Sequence, residues 1–194
     1  MRILFVAAVL LAFGAAANAQ VAEVGISGGV SRFGGEELIS NPEVTMNDGF
    51  RLAFRLTLNT YRFFGHEIGY AYNRTGVDIA GPEGGSIGMS MHQGTYGFLA
   101  YATPEGSRIR PFAVGGIHFS SFFPPGSDVY YGNQVTKFGF NYGGGLKARV
   151  TEVWGVRFDI RQFNTGKPDL FQTPVGPSGR LKQTEISAGV SFML

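Results

Sequence analysis

His118-Phe119-Ser120 sets an imidazole and a hydroxyl two residues apart, so on a strand both project to one side. A base in that position activates a serine for attack on an acyl ester, provided a carboxylate orients the imidazole. Arg157-Phe158-Asp159-Ile160-Arg161 repeats the spacing with two guanidinium groups about one carboxylate, the makings of an ion-pair ladder. The other histidines, His66 and His92, form no H-x-H or H-x-x-x-H spacing with each other or with His118, so no metal site is expected. Gly143-Gly144-Gly145-Leu146-Lys147 lacks phosphate-loop spacing and falls inside a strand rather than before a helix. Cysteine is absent, which removes disulfides, thiolate ligands and a cysteine nucleophile. No catalytic group and no cofactor is expected beyond the His118/Ser120 candidate.

The elements that would position these groups are strands. In KFGFNYGGGLKARV (Lys137–Val150) the even positions after Lys137, Gly144 excepted, are apolar or aromatic, while the odd ones are charged, amide or glycine. A period of two means one oily face and one polar face. The same alternation runs through 22–32, 50–58, 64–73, 154–161 and 185–194. In 87–101 either parity is arguable, and the second half favours Tyr96, Phe98 and Ala100 outward. In 109–123, Phe112 and Val114 share one parity while Ile117 and Phe119 share the other. A bulge at Gly115-Gly116 would bring all four to the oily face and turn His118 and Ser120 to the polar one. This makes eight strands and no helix.

Connections alternate in length. Long ones are expected near 34–47, 75–86, 124–134 and 165–181, short ones at 59–62, 103–108 and 151–153. Long loops at one end and tight turns at the other fit an up-and-down antiparallel barrel crossing a membrane. Asp128–Asn133 and the proline-rich Pro168–Gly179 are expected as exposed loops, solvated by default, that could touch another surface.

A soluble barrel would hide the oily face inside, and a membrane barrel would show it to lipid. The polar face decides between them. It is built from Gly25, Ser27, Gly29, Gly65, Gly69, Gly139, Gly143, Gly145, Gly155, Ser187 and Gly189, punctuated by large charges. Glycine weakens a solvated strand, whereas small beside long suits a cramped interior. The lumen is therefore expected to hold Glu23, Arg51, Arg55, Glu67, Lys137, Lys147, Arg149, Arg157, Asp159, Arg161 and Glu185, paired and hydrogen-bonded, with water, loop carboxylates or exposure at the barrel mouths satisfying the bases that outnumber the acids. Asp159 should bridge an arginine of its own strand or Lys147. Phe33, Phe50, Tyr72 and Phe163 on the loop side, and Tyr61, Phe64, Trp154 and Phe192 on the turn side, are expected as interfacial girdles.

The chain has 194 residues, 30 of them glycine and 18 phenylalanine, with a formal charge of +2, too small and too evenly spread for a nucleic-acid partner. MRILFVAAVLLAFGAAANAQ reads as a secretory signal: Arg2, an apolar run, then Ala17-Asn18-Ala19. Residues 1–19 are expected to be removed, leaving a barrel domain over 20–194. No later segment is apolar over the length that would halt export.

FGFNYGGGLKARVTEVWGVRFDIRQF (Phe138–Phe163), with Arg110-Pro111-Phe112 upstream and the closing ISAGVSFML, resembles the OmpA-like small outer-membrane β-barrel family over nearly all of 21–194. The resemblance implies eight antiparallel strands, both termini in the periplasm, and insertion by the barrel-assembly machinery, which reads the amphipathic last strand. Such chains usually end in Phe; this one ends Phe192-Met193-Leu194, with Leu194 keeping the outward parity. No peptidoglycan-binding domain is read after the barrel.

The sequence thus predicts an all-β protein: an eight-stranded antiparallel up-and-down transmembrane β-barrel in the outer membrane. It is expected to be a monomer in contact with outer-membrane lipid and lipopolysaccharide. The expected role is non-catalytic, in membrane integrity or surface interaction through four long loops. Two other readings are an outer-membrane lipid-modifying enzyme resembling lipid A deacylases, which needs a wall-facing His118/Ser120 pair with a carboxylate, and a soluble lipocalin-like binding barrel, which needs a glycine-poor polar face.

Overall fold

The structure is a computed structural model that describes residues 21–34, 37–40, 43–81, 84–123, 134–170 and 177–194. The expected signal segment, 1–19, and most of the 124–134 loop lie outside the described residues. Among the described residues ten strands follow one another: β1 (Val21–Arg32), β2 (Glu37–Ser40), β3 (Glu43–Met46), β4 (Gly49–Tyr61), β5 (Phe64–Ile79), β6 (Gly85–Tyr101), β7 (Ile109–Phe123), β8 (Val135–Arg149), β9 (Trp154–Gly166) and β10 (Arg180–Met193).

Eight of them close a barrel in the order β5-β4-β1-β10-β9-β8-β7-β6, with β6 returning to β5, and every barrel pairing is antiparallel. Closure pairs the backbone groups around the ring, so the barrel wall has no free edge. Side chains alternate along each strand. On β9, Trp154, Val156, Phe158 and Ile160 are exposed while Arg157, Asp159 and Arg161 are buried. Exposed apolar side chains ring the outside, from Ile26 on β1 through Phe54, Ile68, Phe98, Ile117 and Leu146 to Val190 on β10. On the outside of β5 and β6, His66 and His92 each meet a tyrosine across the pair, Nδ1 lying 2.7 Å from the Tyr96 hydroxyl and 2.5 Å from that of Tyr70.

Four expectations need correction. The first long connection contains the β2–β3 hairpin, whose β3 continues the sheet along the outer end of β5, pairing Val44 with Ile79 and Met46 with Val77. The second is mostly strand: β5 and β6 stay paired out to Ile79 and Gly85. Nor is there a bulge at Gly115-Gly116. Pairing of β7 with both neighbours runs through without a register shift, so Phe112 and Val114 point inward while Ile117 and Phe119 point outward. Their inward position is accommodated by an apolar patch with Leu99 and Tyr101 inside the turn-side end. Finally, Phe33 and Phe163 are buried rather than girdle residues. Phe163 shares the inward parity of Arg161, and Phe33 packs with the β2–β3 hairpin; Phe50, Phe64, Trp154 and Phe192 do lie at the exposed wall.

The loop-side end is stoppered. Phe33, Leu38, Val44, Met46, Val77, Met89, Met91, Phe122, Leu170 and Leu181 form one buried cluster there. Inward parity on the extended ends of β5, β6, β7 and β10 meets the hairpin in a small apolar core of its own.

Candidate functional site

The register places something small beside most of the large inward charges. Arg55 lies between Gly25 and Gly69, Arg51 between Gly29 and Asn73, Asp159 between Gly145 and Ser187, and Arg161 between Gly143 and Glu185. At Gly143 the need is steric: an added Cβ would lie 2.7 Å from the Arg161 Cα and 3.1 Å from its Cγ. A side chain there would push the guanidinium out of line.

At mid-barrel four arginines enclose three carboxylates. Arg157 donates to Asp159 from Nε at 2.7 Å and from Nη2 at 2.9 Å, and to Glu67 from Nη1 at 2.5 Å. Arg161 donates from Nη2 to the same two acids, at 3.0 Å to Asp159 and 2.6 Å to Glu67. Arg55 donates to Glu185 at 2.6 Å and to Ser27 at 2.6 Å. Arg51 Nε stands 2.9 Å from the Glu185 carboxylate, close enough for ion pairing but outside hydrogen-bond alignment.

The pairs brace opposite walls. Glu67 sits on β5 and its two arginines on β9, four strands away in either direction around the ring. Direct cross-strand neighbours do less: Arg161 stands opposite Glu185, yet reaches across the lumen to Glu67. In a low-dielectric interior such charges persist only where the lone pairs and N–H groups are met.

Toward the turns a second layer begins. Lys147 Nζ donates to Glu23 at 2.8 Å and to the Tyr101 hydroxyl at 3.0 Å, and Asn59 donates to the other Glu23 oxygen at 2.9 Å. The Arg110 guanidinium lies over the Tyr101 ring at 3.6 Å. Toward the loops comes an amide layer. Gln93 donates to Ser120 at 2.9 Å and to Gln183 at 2.8 Å; Gln183 donates to Ser31 at 2.8 Å, and Ser31 to Asn73 at 2.6 Å. Arg51 joins this layer through Asn73 and Gln93.

Of the expected lumen residues, Glu23, Arg51, Arg55, Glu67, Lys147, Arg157, Asp159, Arg161 and Glu185 are buried. Two are not. Lys137 is half-buried near the loop-side end of β8, and Arg149 is exposed as the last residue of that strand, donating to the Gly106 carbonyl in the neighbouring turn at 2.5 Å. Both keep the inward parity but stand where the lumen opens. The amides of the upper layer share that parity and lacked only a charge to draw notice. Arg110 was hidden for another reason: Phe112 and Val114 facing lipid exclude it from the lumen, and the straight β7 ladder restores it.

His118 and Ser120 both face the lumen rather than lipid. His118 Nε2 meets Thr165 Oγ1 at 2.8 Å with its ring edge against Phe163, and its Nδ1 has no hydrogen-bond partner. Ser120 accepts from Gln93. The two side chains have separate partners, neither of them a carboxylate. Among the described residues no group of three metal-ligating side chains converges.

A family model described as the outer membrane protein beta-barrel domain matches residues 4–193. No curated protein sequence matches significantly. Among solved structures, Neisserial surface protein A is similar with a TM-score of 0.60 at 14% identity, over 89% of this chain and 96% of that one. The N-terminal barrel domain of Pseudomonas aeruginosa OprF follows at 0.55 and 12%, over 89% and 97%. The attachment invasion locus protein Ail of Yersinia pestis gives 0.50 and 12%, over 90% and 97%.

Proposed function

The chain belongs to the outer membrane protein β-barrel family, and from that premise we propose that it serves the bacterial outer membrane as a non-catalytic barrel, supporting membrane integrity and contact at the cell surface. The observation that carries this reading is a lumen occupied by its own side chains: ion pairs across the middle, amides above them, and an apolar stopper at the loop end. A barrel filled this way offers its loops and its lipid belt for use, and no passage. Short turns face the periplasm and the long loops face outward, as in other such barrels. The exposed apolar band takes outer-membrane lipid, including lipopolysaccharide, as its surroundings. Insertion falls to the barrel-assembly machinery after removal of the signal, and the barrel works as a monomer.

The inward turn of His118 and Ser120 supports the non-catalytic role, since a membrane lipid reaches the wall and not the lumen. The test is complementation. A strain lacking the protein should grow poorly in bile salts or SDS, and both the wild-type chain and a chain carrying His118→Ala and Ser120→Ala should restore it equally. Outer-membrane fractions should contain the protein in each case. Failure of the double variant, with folding intact on gels, would favour chemistry at that pair instead.

A further inference from the structure

We infer that the turn-side mouth of the barrel holds a binding site for a compact oxyanion, a carboxylate or a phosphate, with Arg110 as its principal ligand. A cavity of about 130 Å³ opens there between the β6–β7 turn, β8, β9 and β10. At ~30 Å³ per water it has room for a few waters or one small anion.

Arg110 is 7% exposed and lines this cavity. Its face is taken by the Tyr101 ring. Nη1 reaches Asn59 at 3.5 Å and Nη2 the Arg62 carbonyl at 3.4 Å, both at the long limit for a hydrogen bond, and Nε has no hydrogen-bond partner. Among the described residues no ion pair includes Arg110. Every other buried cation has one: Arg51, Arg55, Lys147, Arg157 and Arg161 all stand within 4.0 Å of a carboxylate.

A buried guanidinium without a counter-charge is costly, and its planar set of N–H donors matches the oxygens of a carboxylate or phosphate. Glu23, on the wall of the same cavity, is already held by Lys147 and Asn59. Arg108, Lys147 and Arg149 stand with Arg110 on the cavity wall against Glu23 and Glu105, so the field favours an anion. The turn cooperates: Gly106 has φ 87°, a conformation that lets the chain double back beneath the mouth. Glu105, whose buried Oε1 also lacks a hydrogen-bond partner, is the opposing group. It disfavours a bare anion on its own side and would meet the ammonium of a zwitterion.

Only the compartment that the mouth faces rests on the proposed outer-membrane role; the binding itself does not. The experiment uses the full barrel, refolded in a neutral detergent and labelled with ¹⁵N, titrated with sodium acetate, sodium phosphate or glycine, each against sodium chloride at equal ionic strength. The Arg110 Nε–H signal and the Gly106 and Ser107 amides should shift saturably, with Kd in the millimolar range. The acetate and phosphate arms separate carboxylate from phosphate sources by which one saturates first. Arg110→Gln should weaken binding about tenfold or more, as read at Gly106 and Ser107. Glu105→Gln should tighten acetate binding and remove any advantage of glycine over acetate. Where Arg110→Gln does not fold, seen as no compact band that shifts on boiling in SDS gels, Arg110→Lys keeps the charge, loses the planar donor set and should bind several-fold more weakly. Shifts no larger than those from chloride, or equal affinity in a folded Arg110 variant, would overturn the site. Neither result bears on where fractionation finds the protein.

Discussion

Asp159 is the residue on which the mid-barrel charges most depend. It accepts from two arginines of its own strand, at positions i−2 and i+2, and those same arginines carry the bond across the lumen to Glu67. Without it, Arg157 and Arg161 approach each other with only Glu67 between them. Removing one partner of a buried pair typically costs ~3–5 kcal/mol, and the retained bonds to Glu67 place this case at the lower end, about 3 kcal/mol. Asp159→Ala should therefore lower the urea midpoint of the barrel in lipid vesicles, while Glu152→Ala, an equal loss of charge at an exposed turn, should leave it nearly unchanged. Equal midpoints for the two variants would show that the lumen pairs contribute nothing. The parity of Arg157, Asp159 and Arg161 was readable from the sequence, because alternation along a strand is local. The inward place of Glu67 was readable in the same way, but its pairing with them was not: it lies on the opposite wall, 90 residues from Arg157 in the chain, and no periodicity links the two.

At the scale of elements, β7 shows where reading by hydrophobicity fails. Placing every large apolar residue in lipid demands a bulge, but the barrel interior also has apolar layers, and Phe112 and Val114 fill one of them. Phe112 does more than fill space, since the Arg157 guanidinium lies 4.5 Å from its ring centroid. The β2–β3 hairpin was missed for a related reason. ELIS and EVTM are four residues each, too short for alternation to stand out from a loop. They become strands because Leu38, Val44 and Met46 have a buried place to go, against Met89, Met91 and Phe122. Their burial predicts a local effect. Phe122→Ala leaves a cavity in that small core, and such changes cost ~3–5 kcal/mol. The hairpin should then be cut by protease added to intact cells at a rate several-fold above wild type. The mid-barrel strands should remain protected, because the amide and ion-pair layers beneath are untouched. Loss of protection along the whole chain would mean that stopper and lumen unfold as one unit.

For the molecule as a whole, the layers are stacked in series along one axis. An ion entering from the turn side meets the Lys147–Glu23 pair, then arginines and carboxylates joined across the full diameter, then the amides, and last an apolar cluster. Eight strands give an interior that side chains can just fill, and here long charged groups fill it from opposite walls. In planar bilayers the purified barrel should give no stable porin-like steps. The series arrangement makes a sharper demand. Paired replacement of Glu67 and Arg157 by alanine opens space at mid-barrel but leaves the apolar stopper, so that variant should stay silent. Phe122→Ala loosens the stopper but leaves the cross-lumen pairs, so it should stay silent as well. Only the combined variant removes both obstacles, and it should show brief, low-conductance openings. Large reproducible steps from the wild-type protein would mean that the lumen is open. Openings from either partial variant would mean that one layer alone holds it shut, and the barrel would then be a gated pore rather than a braced membrane scaffold.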